Sequence, residues 1–292
     1  MGSAMIAGVG MTPFGRHPDR SLRDLAEEAL LSAAADAGIE PAGIDMVFFA
    51  NAAAGLVTGQ EMIRAETALR RTALVGKPMV NVENACASGA TAVHLARLAV
   101  AAGACDVALA IGVEKMVHPD KAVTVRALEA GVDLEELADL RARRGGGGRT
   151  SIFMDIYADK TRRYMAASGA TEADFAAVAV KNRLGAARNG DAQFREPVDV
   201  DAVLASRPVS PPITLLMCAP IGDGAAAAIV ASDAAARRLG LRRPVAILAS
   251  ALRTGAGDTG LPSGAARAAE AAYAEAGLGP RPTSTSSRCT TR

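Results

Sequence analysis

The feature that most constrains the fold is the alternation of short apolar segments with helical segments in the first part of the chain. Apolar runs of strand length occur at residues 5–9, 47–50, 79–82 and 107–113. Segments with helical periodicity lie between them, at residues 21–37, 61–70 and 87–102. Ser21 is suited to cap the start of the first helix and Gly38 to end it. This alternation predicts the α/β class, with a mostly parallel sheet that helices cover on both faces.

Composition and charge exclude several classes of protein. Half of the residues are apolar but only 3% are aromatic, so the core must be built from Ala, Val, Leu, Ile and Met. The 32 Lys and Arg residues balance 31 Asp and Glu residues, which argues against the basic surface of a nucleic-acid binder. The four cysteines show neither metal-ligand spacing nor the density of a disulfide scaffold. We therefore expect reduced thiols, no bound metal and no nucleic-acid partner.

The start of the chain lacks an apolar run of the length that a signal peptide or a membrane span needs, because Gly and polar residues interrupt residues 5–14. The sequence therefore predicts a soluble, cytoplasmic protein.

The pattern changes between residues 119 and 206, which we predict to be an inserted loop or lid domain. Charged helical stretches occur there at 134–144 and 171–187, with a glycine run at 145–148 between them. The arginine-flanked glycine run is predicted to be a solvated linker, with a phosphate contact as the alternative. An apolar strand at 224–231 then returns to the first half of the fold, which we assign to residues 1–118 and 207–240.

A faint internal repeat follows this first half. LLSAAADAGIEP at 30–41 is echoed by AAEAAYAEAGLGP at 268–280, and residues 245–251 again form an apolar run ahead of a helical segment at 264–278. We interpret residues 241–280 as the start of a second, repeated half. Residues 281–292 have no apolar alternation and cannot continue it as a core strand, so we treat them as an aberrant tail.

The segment NVENACASGATAVHLA, residues 81–96, places Cys86 where a buried strand turns directly into a helix. The small neighbours Ala85, Ala87, Ser88 and Gly89 permit a tight turn and close backbone approach. Backbone N–H groups at a helix start stabilise a thiolate, which is the reactive form of cysteine. On these local grounds Cys86 is either a nucleophile or an inert core residue.

At this point the sequence resembles the thiolase family, and within it the branch of the sterol carrier protein x thiolases. The resemblance rests on the cysteine segment and on three further stretches in matching order, at residues 112–116 (GVEKM), 151–158 (SIFMDIYA) and 218–226 (CAPIGDGAA). It implies a fold of two pseudo-symmetric halves, each a sheet layered with helices, that usually forms a dimer. It also implies that Cys86 takes an acyl group from a thioester, in 3-ketoacyl-CoA thiolysis or in the reverse Claisen condensation. Coenzyme A is then a substrate, and no permanently bound cofactor or metal is expected.

The same resemblance assigns pocket positions to two other residues. His118 follows a strand end where family members line the pocket, and Met154 matches a pocket-lining position, although a lone Met is most often part of a core. His94 is predicted to pack on its helix rather than to act in catalysis. Cys105 and Cys218 are predicted to be structural, as are Gly222, Asp223 and Gly224, which suggest a tight turn into a strand.

Several motifs of the family are missing. The later His-Asp, Gly-His-Pro and Cys-x-Gly-Gly motifs, which supply a histidine, a second cysteine and oxyanion donors, do not occur in the sequence. Degenerate codons for 283–292, regrouped by one base, can encode Val-Asp-Val-Val-Glu-Val-His-Asp-Ala. That string would form an alternating strand and begin the His-Asp motif, so we predict a reading-frame slip, with natural truncation as the alternative.

Three functions remain open at this stage. The first is a thiolase-type acyltransferase that works through Cys86, as a homo-oligomer or with a partner that supplies the missing residues. The second is a thiolase-like lyase or aldolase partner subunit, although such chains are expected to lack the nucleophilic cysteine. The third is a catalytically inactive thiolase fragment.

Overall fold

The structure is a computed structural model, which describes residues 2–144, 151–241, 243–255 and 262–279. Its strands are β1 (Ala4–Met11), β2 (Met46–Ala50), β3 (Met79–Val82), β4 (Val107–Lys115), β5 (Pro208–Ser210), β6 (Ile213–Thr214), β7 (Asp223–Ser232) and β8 (Val245–Ala246). Its helices are α1 (Leu22–Ala37), α2 (Ala54–Thr58), α3 (Arg64–Leu69), α4 (Ser88–Ala101), α5 (Lys121–Glu129), α6 (Leu137–Arg144), α7 (Ile152–Ser168), α8 (Glu172–Ala186), α9 (Val200–Ala205), α10 (Asp233–Arg238) and α11 (Gly264–Glu275). Within these residues, no helix is both long enough and apolar enough to cross a membrane.

The central sheet has six strands in the order β3-β2-β4-β7-β1-β8. The strands β2, β3 and β4 pair in parallel, whereas β7 lies antiparallel between β4 and β1, and β8 lies antiparallel to β1. The expectation of a mostly parallel sheet is therefore wrong. The first four strands do run in one direction, as βαβ connections require, but β7 returns from the long excursion in the opposite direction and inserts among them.

The sheet is covered on both faces, because alternate residues of each strand point to opposite sides. Val47, Phe49 and Leu109 are buried against α1 and α3 in one core cluster. Their neighbours Phe48 and Ala110 are buried on the other face, where α4 contributes Ala92, Ala96 and Val100. The predicted three-layer arrangement of helix, sheet and helix is confirmed for this half.

Helix α1 lies directly on strand β1. A Cβ atom added at Gly8 would come within 2.5 Å of the backbone nitrogen of Ala37, and one added at Gly10 within 2.4 Å of that of Ala33. Only glycine allows so close an approach, and the alanine-rich face of α1 completes it. This contact explains how a chain poor in aromatic residues fills its core.

The local signals at the ends of α1 act as the sequence indicates. Ser21 caps the helix in a reciprocal capping box with Asp24, and Gly38 ends it in the left-handed conformation at φ 72°. The predicted helix at 61–70 is shorter, as α3, and a short helix that the sequence pattern does not show, α2, precedes it. The predicted strand at 245–251 is reduced to the two residues of β8, which join the first sheet beside β1.

The predicted lid region contains the five helices α5–α9 and precedes the small β5-β6 ribbon. Its first helix, α5, packs on α2 through a small cluster in which Ala127 meets Ala53 and Val57. The glycine run at 145–148 and the tail at 281–292, including Cys289, lie outside the described residues, so the linker and frame-slip predictions stay predictions.

Candidate functional site

The polar groups of the candidate site lie at one edge of the sheet. Because β2, β3 and β4 are parallel neighbours, their carboxyl ends meet at the same edge. Asn51 follows β2, the turn that carries Cys86 follows β3, and the segment that carries His118 follows β4. Neighbouring strands are about 4.8 Å apart, so the ends of β3 and β4 are separated by roughly 10 Å. The edge also receives β7, which begins at Asp223 opposite Lys115.

Cys86 is exposed at the centre of a single 3₁₀ turn, Ala85–Ala87, between β3 and α4. Its predecessor Ala85 has φ 44°, a left-handed conformation that is unfavourable for a residue with a Cβ atom. The turn therefore lifts the cysteine out of the path from strand to helix at some conformational cost. The sequence prediction of a tight turn between strand and helix agrees with this geometry.

Neighbouring side chains hold the turn in place. The hydroxyl of Ser88 accepts the N–H of Asn84 at 2.8 Å and donates to the carbonyl of Ala85 at 2.7 Å. The amide of Asn84 donates to the hydroxyl of Thr91 at 2.9 Å, and Thr91 donates to the carbonyl of Ala87 at 2.9 Å. Ser88 and Thr91 are buried, so these bonds lie beneath the exposed thiol.

Glu114, near the end of β4, fixes the loop after β2. Its carboxylate accepts the N–H of Ala54 at 2.6 Å and the N–H groups of Ala52 and Ala53 at 3.1 to 3.3 Å. It also accepts the side-chain amide of Asn51 at 3.1 Å, and the carbonyl of Asn51 accepts a bond from Arg64 at 2.7 Å. The carboxylate thus satisfies backbone donors at the start of α2, a role that the sequence analysis missed.

Asp223 is a second carboxylate at the same edge. It is fully buried and forms a 2.7 Å ion pair with Lys115. The Gly-Asp-Gly stretch predicts only a scaffold role, as a tight turn into a closely packed strand. Gly224 does have a packing role, because an added Cβ would lie 2.7 Å from the ring of Phe14. The signal that could have shown more was an Asp, which is rarely fully buried without a partner, at the start of an apolar strand.

His118 is half-buried three residues beyond the end of β4. Its Nδ1 atom lies 3.0 Å from the backbone nitrogen of Asp120, which can donate a hydrogen bond to it. The same ring nitrogen lies 3.0 Å from the backbone carbonyl oxygen of Asp120. The structure thus places His118 at the same edge of the sheet as Cys86, after β4, which lies two positions from β3 in the sheet.

Met154 lies in the first turn of α7, and its sulfur is 3.6 Å from the thiol of Cys218. Cys218 also contacts the carbonyl of Thr214 at 3.4 Å and lies shortly before β7. Cys218 precedes β7, and β7 begins at the carboxyl end of β4. Burial raises the pKa of the Cys218 thiol, which suits the predicted structural role.

His94 lies on α4, and its Nδ1 atom is 2.9 Å from the hydroxyl of Ser250. On the same helix Arg97 forms a 2.5 Å ion pair with Glu275 of α11. Hydrogen bonding to Arg97 is the main reason that the pKa of Glu275 is lowered. His94 thus joins α4 to the segment after residue 241, away from the turn of Cys86, as the sequence analysis expected for a packed residue.

A concave surface of about 550 Å³ lies elsewhere, at the amino end of β3, where Arg70, Lys77 and Met79 are among its lining residues. It is wide and shallow and does not include Cys86, so we do not assign it to the site. Among the described residues, no group of three or more His, Cys, Asp or Glu side chains is arranged to hold a metal ion.

The described structure is an α/β half-fold, in which helices cover both faces of a sheet and an exposed cysteine lies in a strand-to-helix turn. Comparison with known proteins shows to which family the chain belongs. The model of the family described as "Thiolase, N-terminal domain" matches residues 4–206. The chain belongs to the thiolase family. The family and the α/β fold class predicted from the sequence are therefore confirmed.

The curated relatives of the chain include three proteins from different organisms. It is 35% identical over 254 residues to the benzoylsuccinyl-CoA thiolase subunit BbsB of Thauera aromatica, covering 86% of this chain and 60% of that protein. It is 38% identical over 258 residues to the acetyl-CoA acetyltransferase of Methanothermobacter thermautotrophicus, covering 87% of this chain and 63% of the relative. It is 32% identical over 253 residues to human sterol carrier protein 2, covering 85% and 45%. The chain thus spans about 60% of the first two relatives and less than half of the third.

Among solved structures, the "Ltp2-ChsH2(DUF35) aldolase" is similar with a TM-score of 0.75 and 28% identity, covering 95% of this chain and 70% of that chain. Both the sequence relatives and this structure agree with the thiolase-like fold.

Proposed function

We propose that this chain is a thiolase-type acyltransferase that carries an acyl group on Cys86 and exchanges it with coenzyme A. The observation that carries the proposal is the exposure of Cys86 in a strained turn between β3 and α4. Hydrogen bonds from Ser88 and Thr91 hold this turn in place. A cysteine with only a structural role needs neither an exposed thiol nor a preceding residue in the left-handed conformation. The acetyl-CoA acetyltransferase among the relatives supports the same function.

In the proposed reaction the thiolate of Cys86 attacks the carbonyl carbon of an acyl-CoA thioester. A new carbon–sulfur bond forms, and the bond to coenzyme A breaks, releasing its thiolate to take up a proton. Attack by a second coenzyme A reverses this step. In the condensation, another acyl-CoA gives up an α-proton and its α-carbon attacks the acyl-cysteine, which forms a 3-ketoacyl-CoA, breaks the carbon–sulfur bond and leaves Cys86 as a thiolate that can take up a proton. The reaction needs no cofactor beyond its substrates.

We propose that His118 and Met154 contact the acyl-CoA substrate. His118 is held by the backbone of Asp120 at the edge that carries Cys86, and Met154 lies on the helix that packs beside Cys218. The corresponding domain proposal is that residues 119–206 form a lid over this edge, between the parts of the first half at 1–118 and 207–240. Residues 241–280 would then begin a second half.

A second candidate is a thiolase-like aldolase or lyase subunit that works with a partner protein. It is favoured by the similarity to the Ltp2-ChsH2(DUF35) aldolase, whose name includes a second component. Retention of Cys86 inside an exposed turn favours the acyltransferase. The third candidate, an inactive scaffold, would keep the fold without any acyl transfer.

One experiment separates the three functions. The purified chain is incubated with acetyl-CoA and its mass is measured, and thiolysis of acetoacetyl-CoA is assayed in parallel. We expect the mass of one acetyl group on the peptide that contains Cys86, with slow thiolysis because the later His and Cys motifs of the family are missing from the sequence.

The matched controls are single alanine replacements at three cysteines. Cys86→Ala should remove the acetyl mass shift and leave folding nearly intact, because alanine fits between Ala85 and Ala87. Cys105→Ala and Cys218→Ala should leave the acylation unchanged. An acetyl mass shift that persists in Cys86→Ala would refute the assignment, and an unacylated wild-type chain would favour the aldolase subunit or the scaffold.

We also propose that the chain associates with itself. Strand β3 is the outermost strand on one side of the sheet, and the exposed apolar side chains of Met62, Ile63 and Val75 lie in the segments flanking α3. Leu248 and Leu252 are exposed in the segment between β8 and α11. Such surfaces favour association. Light scattering should show a dimer or larger species, and a monodisperse monomer with strong thiolysis would contradict the proposal. The predicted cytoplasmic location stays a prediction.

A further inference from the structure

Asp223 lies where three segments of the chain meet. It is the first residue of β7, it faces Lys115 in the β4-β7 register, and it is fully buried. Its backbone also pairs with Gly15 in the loop between β1 and α1, through bonds of 2.7 and 3.1 Å. A carboxylate at such a place is costly to bury unless every lone pair it presents is used.

The two oxygens of Asp223 bind different partners. Oδ1 accepts the backbone N–H groups of Met116 and Val117, each at 2.8 Å. Oδ2 accepts the ammonium group of Lys115 at 2.7 Å and the backbone N–H of His17 at 3.2 Å. Lys115, whose side chain is 11% exposed, neutralises the charge.

The bonds to Met116 and Val117 act on the exit from the sheet. At this point β4 has passed the start of β7, so these N–H groups lie beyond the last ladder pair, Lys115 with Asp223. The carboxylate takes the place of the absent strand partner. On the other side, the buried hydroxyl of Thr124 in α5 donates to the carbonyl of Met116 at 2.7 Å. Residues 116–118 are therefore held between the sheet and the first lid helix.

We propose that Asp223 is a positioning residue for substrate binding, because it fixes the segment 116–118 and thereby sets the place of His118 relative to Cys86. The inference rests on the proposed function, since His118 matters only if acyl-CoA binds at this edge. If Asp223 had only a structural role, any side chain that keeps β7 paired with β4 could replace it. The positioning role needs an acceptor that faces the N–H groups of Met116 and Val117.

The test uses two variants that differ in this acceptor. Asp223→Ala removes it. The double variant Asp223→Asn with Lys115→Met removes both charges together and leaves an amide oxygen that can face the two N–H groups. Asp106→Asn is the matched control, because Asp106 lies at the opposite end of the β4-β7 ladder and pairs with Arg238 at the surface.

Three properties are measured on each full-length chain: the acetyl-CoA concentration for half-maximal acylation, the rate of Cys86 alkylation by iodoacetamide, and the hydrogen exchange of residues 116–118. For Asp223→Ala we expect the half-saturating concentration to rise about tenfold and exchange to accelerate, while the iodoacetamide rate stays within about twofold, as loss of one set of hydrogen bonds suggests. The double variant should recover to within about threefold of the wild type, and Asp106→Asn should match the wild type.

Each other result overturns the positioning role. If exchange accelerates in Asp223→Ala but half-saturation does not change, Asp223 is only structural. If Asp223→Ala unfolds, the double variant decides, because a folded double variant with half-saturation raised tenfold would refute the role of the acceptor. An unacylated wild-type chain would refute the proposed function itself, and the exchange data would still show whether Asp223 holds the segment 116–118.

Discussion

The two ends of the β4-β7 ladder each carry an aspartate, and the two residues differ in their surroundings. At the carboxyl end of β4, Asp223 is 0% exposed and holds backbone N–H groups of a loop. At the amino end, Asp106 is 47% exposed and bonds the side chains of Arg238 and Ser232. At the amino end, the contacts of Asp106 lie at the surface, where water can replace them. At the carboxyl end, a buried carboxylate fixes the loop after β4. We place the function at this carboxyl end.

The same contrast applies to the cysteines. Cys86 is exposed at the carboxyl edge, whereas Cys105 is half-buried just before β4, at the amino edge. Burial, followed by the nearby charges of Asp45 and Asp106, raises the pKa of the Cys105 thiol. At neutral pH a raised pKa leaves less of the reactive thiolate.

The largest expected effect is therefore selective labelling of one thiol. With one equivalent of iodoacetamide at pH 7, in a Cys289→Ser background, nearly all of the label should appear on Cys86. Peptide mapping by mass spectrometry measures its distribution. Equal labelling of Cys86 and Cys105 would show that the two edges do not differ in the way described.

The second effect concerns the partly buried carboxylate of Glu114. Glu114→Gln should lower the free energy of unfolding by about 2 kcal/mol, because charge-assisted bonds to the N–H groups at the start of α2 are lost. Urea denaturation measures this change. Glu28→Gln is the control, since the carboxylate of Glu28 is half-exposed and pairs with Arg20 at the surface. If both substitutions lower the free energy of unfolding by the same amount, the partial burial of Glu114 does not increase its contribution to stability.

The third effect tests the strain at the turn. Ala85→Gly should raise the free energy of unfolding by between zero and about 1 kcal/mol, because glycine accepts the φ of 44° but loses more backbone entropy on folding. Ala87→Gly, where φ is −93°, should instead lower it by about 0.5 to 1 kcal/mol. Thermal or urea unfolding of both variants gives the comparison, and the same sign for both would remove the case for strain.

The smallest effect is expected at Asp106. Hydrogen bonds, first from Arg238 and then from Ser232, lower the pKa of this exposed carboxyl. Since the pKa is lower in the folded state, its contribution to stability is present at neutral pH and is lost as the pH falls through the folded-state pKa. Urea midpoints of wild type and Asp106→Asn should differ slightly at pH 7 and converge as the pH falls through the folded-state pKa of Asp106. A difference that grows on acidification would contradict this sign.

Much of the first half could be predicted from local patterns. The bounds of β3 and α4 and both ends of α1 follow from apolar runs, from Ser21 and from Gly38, because each depends on residues close together in the chain. The placement of Cys86 in a tight turn is equally local. Helix α2 was missed because its five residues are too few to show a period.

The order of the strands could not be obtained in this way. Nothing in residues 223–232 alone indicates that β7 inserts between β4 and β1, because pairing is a choice among strands of similar apolar character. The strand at 245–251 was overestimated for a related reason, since only Val245 and Ala246 find a partner in β1.

By itself, the amino-acid sequence determined the α/β class, most of the strands and helices, the thiolase family and the turn that presents Cys86. Only the tertiary structure decided that Asp223 would meet Lys115 from 108 residues away and that Glu114 would cap a helix start 60 residues before it. The physical reason is that propensity and periodicity act between near neighbours. A buried carboxylate is defined by donors that folding alone brings together.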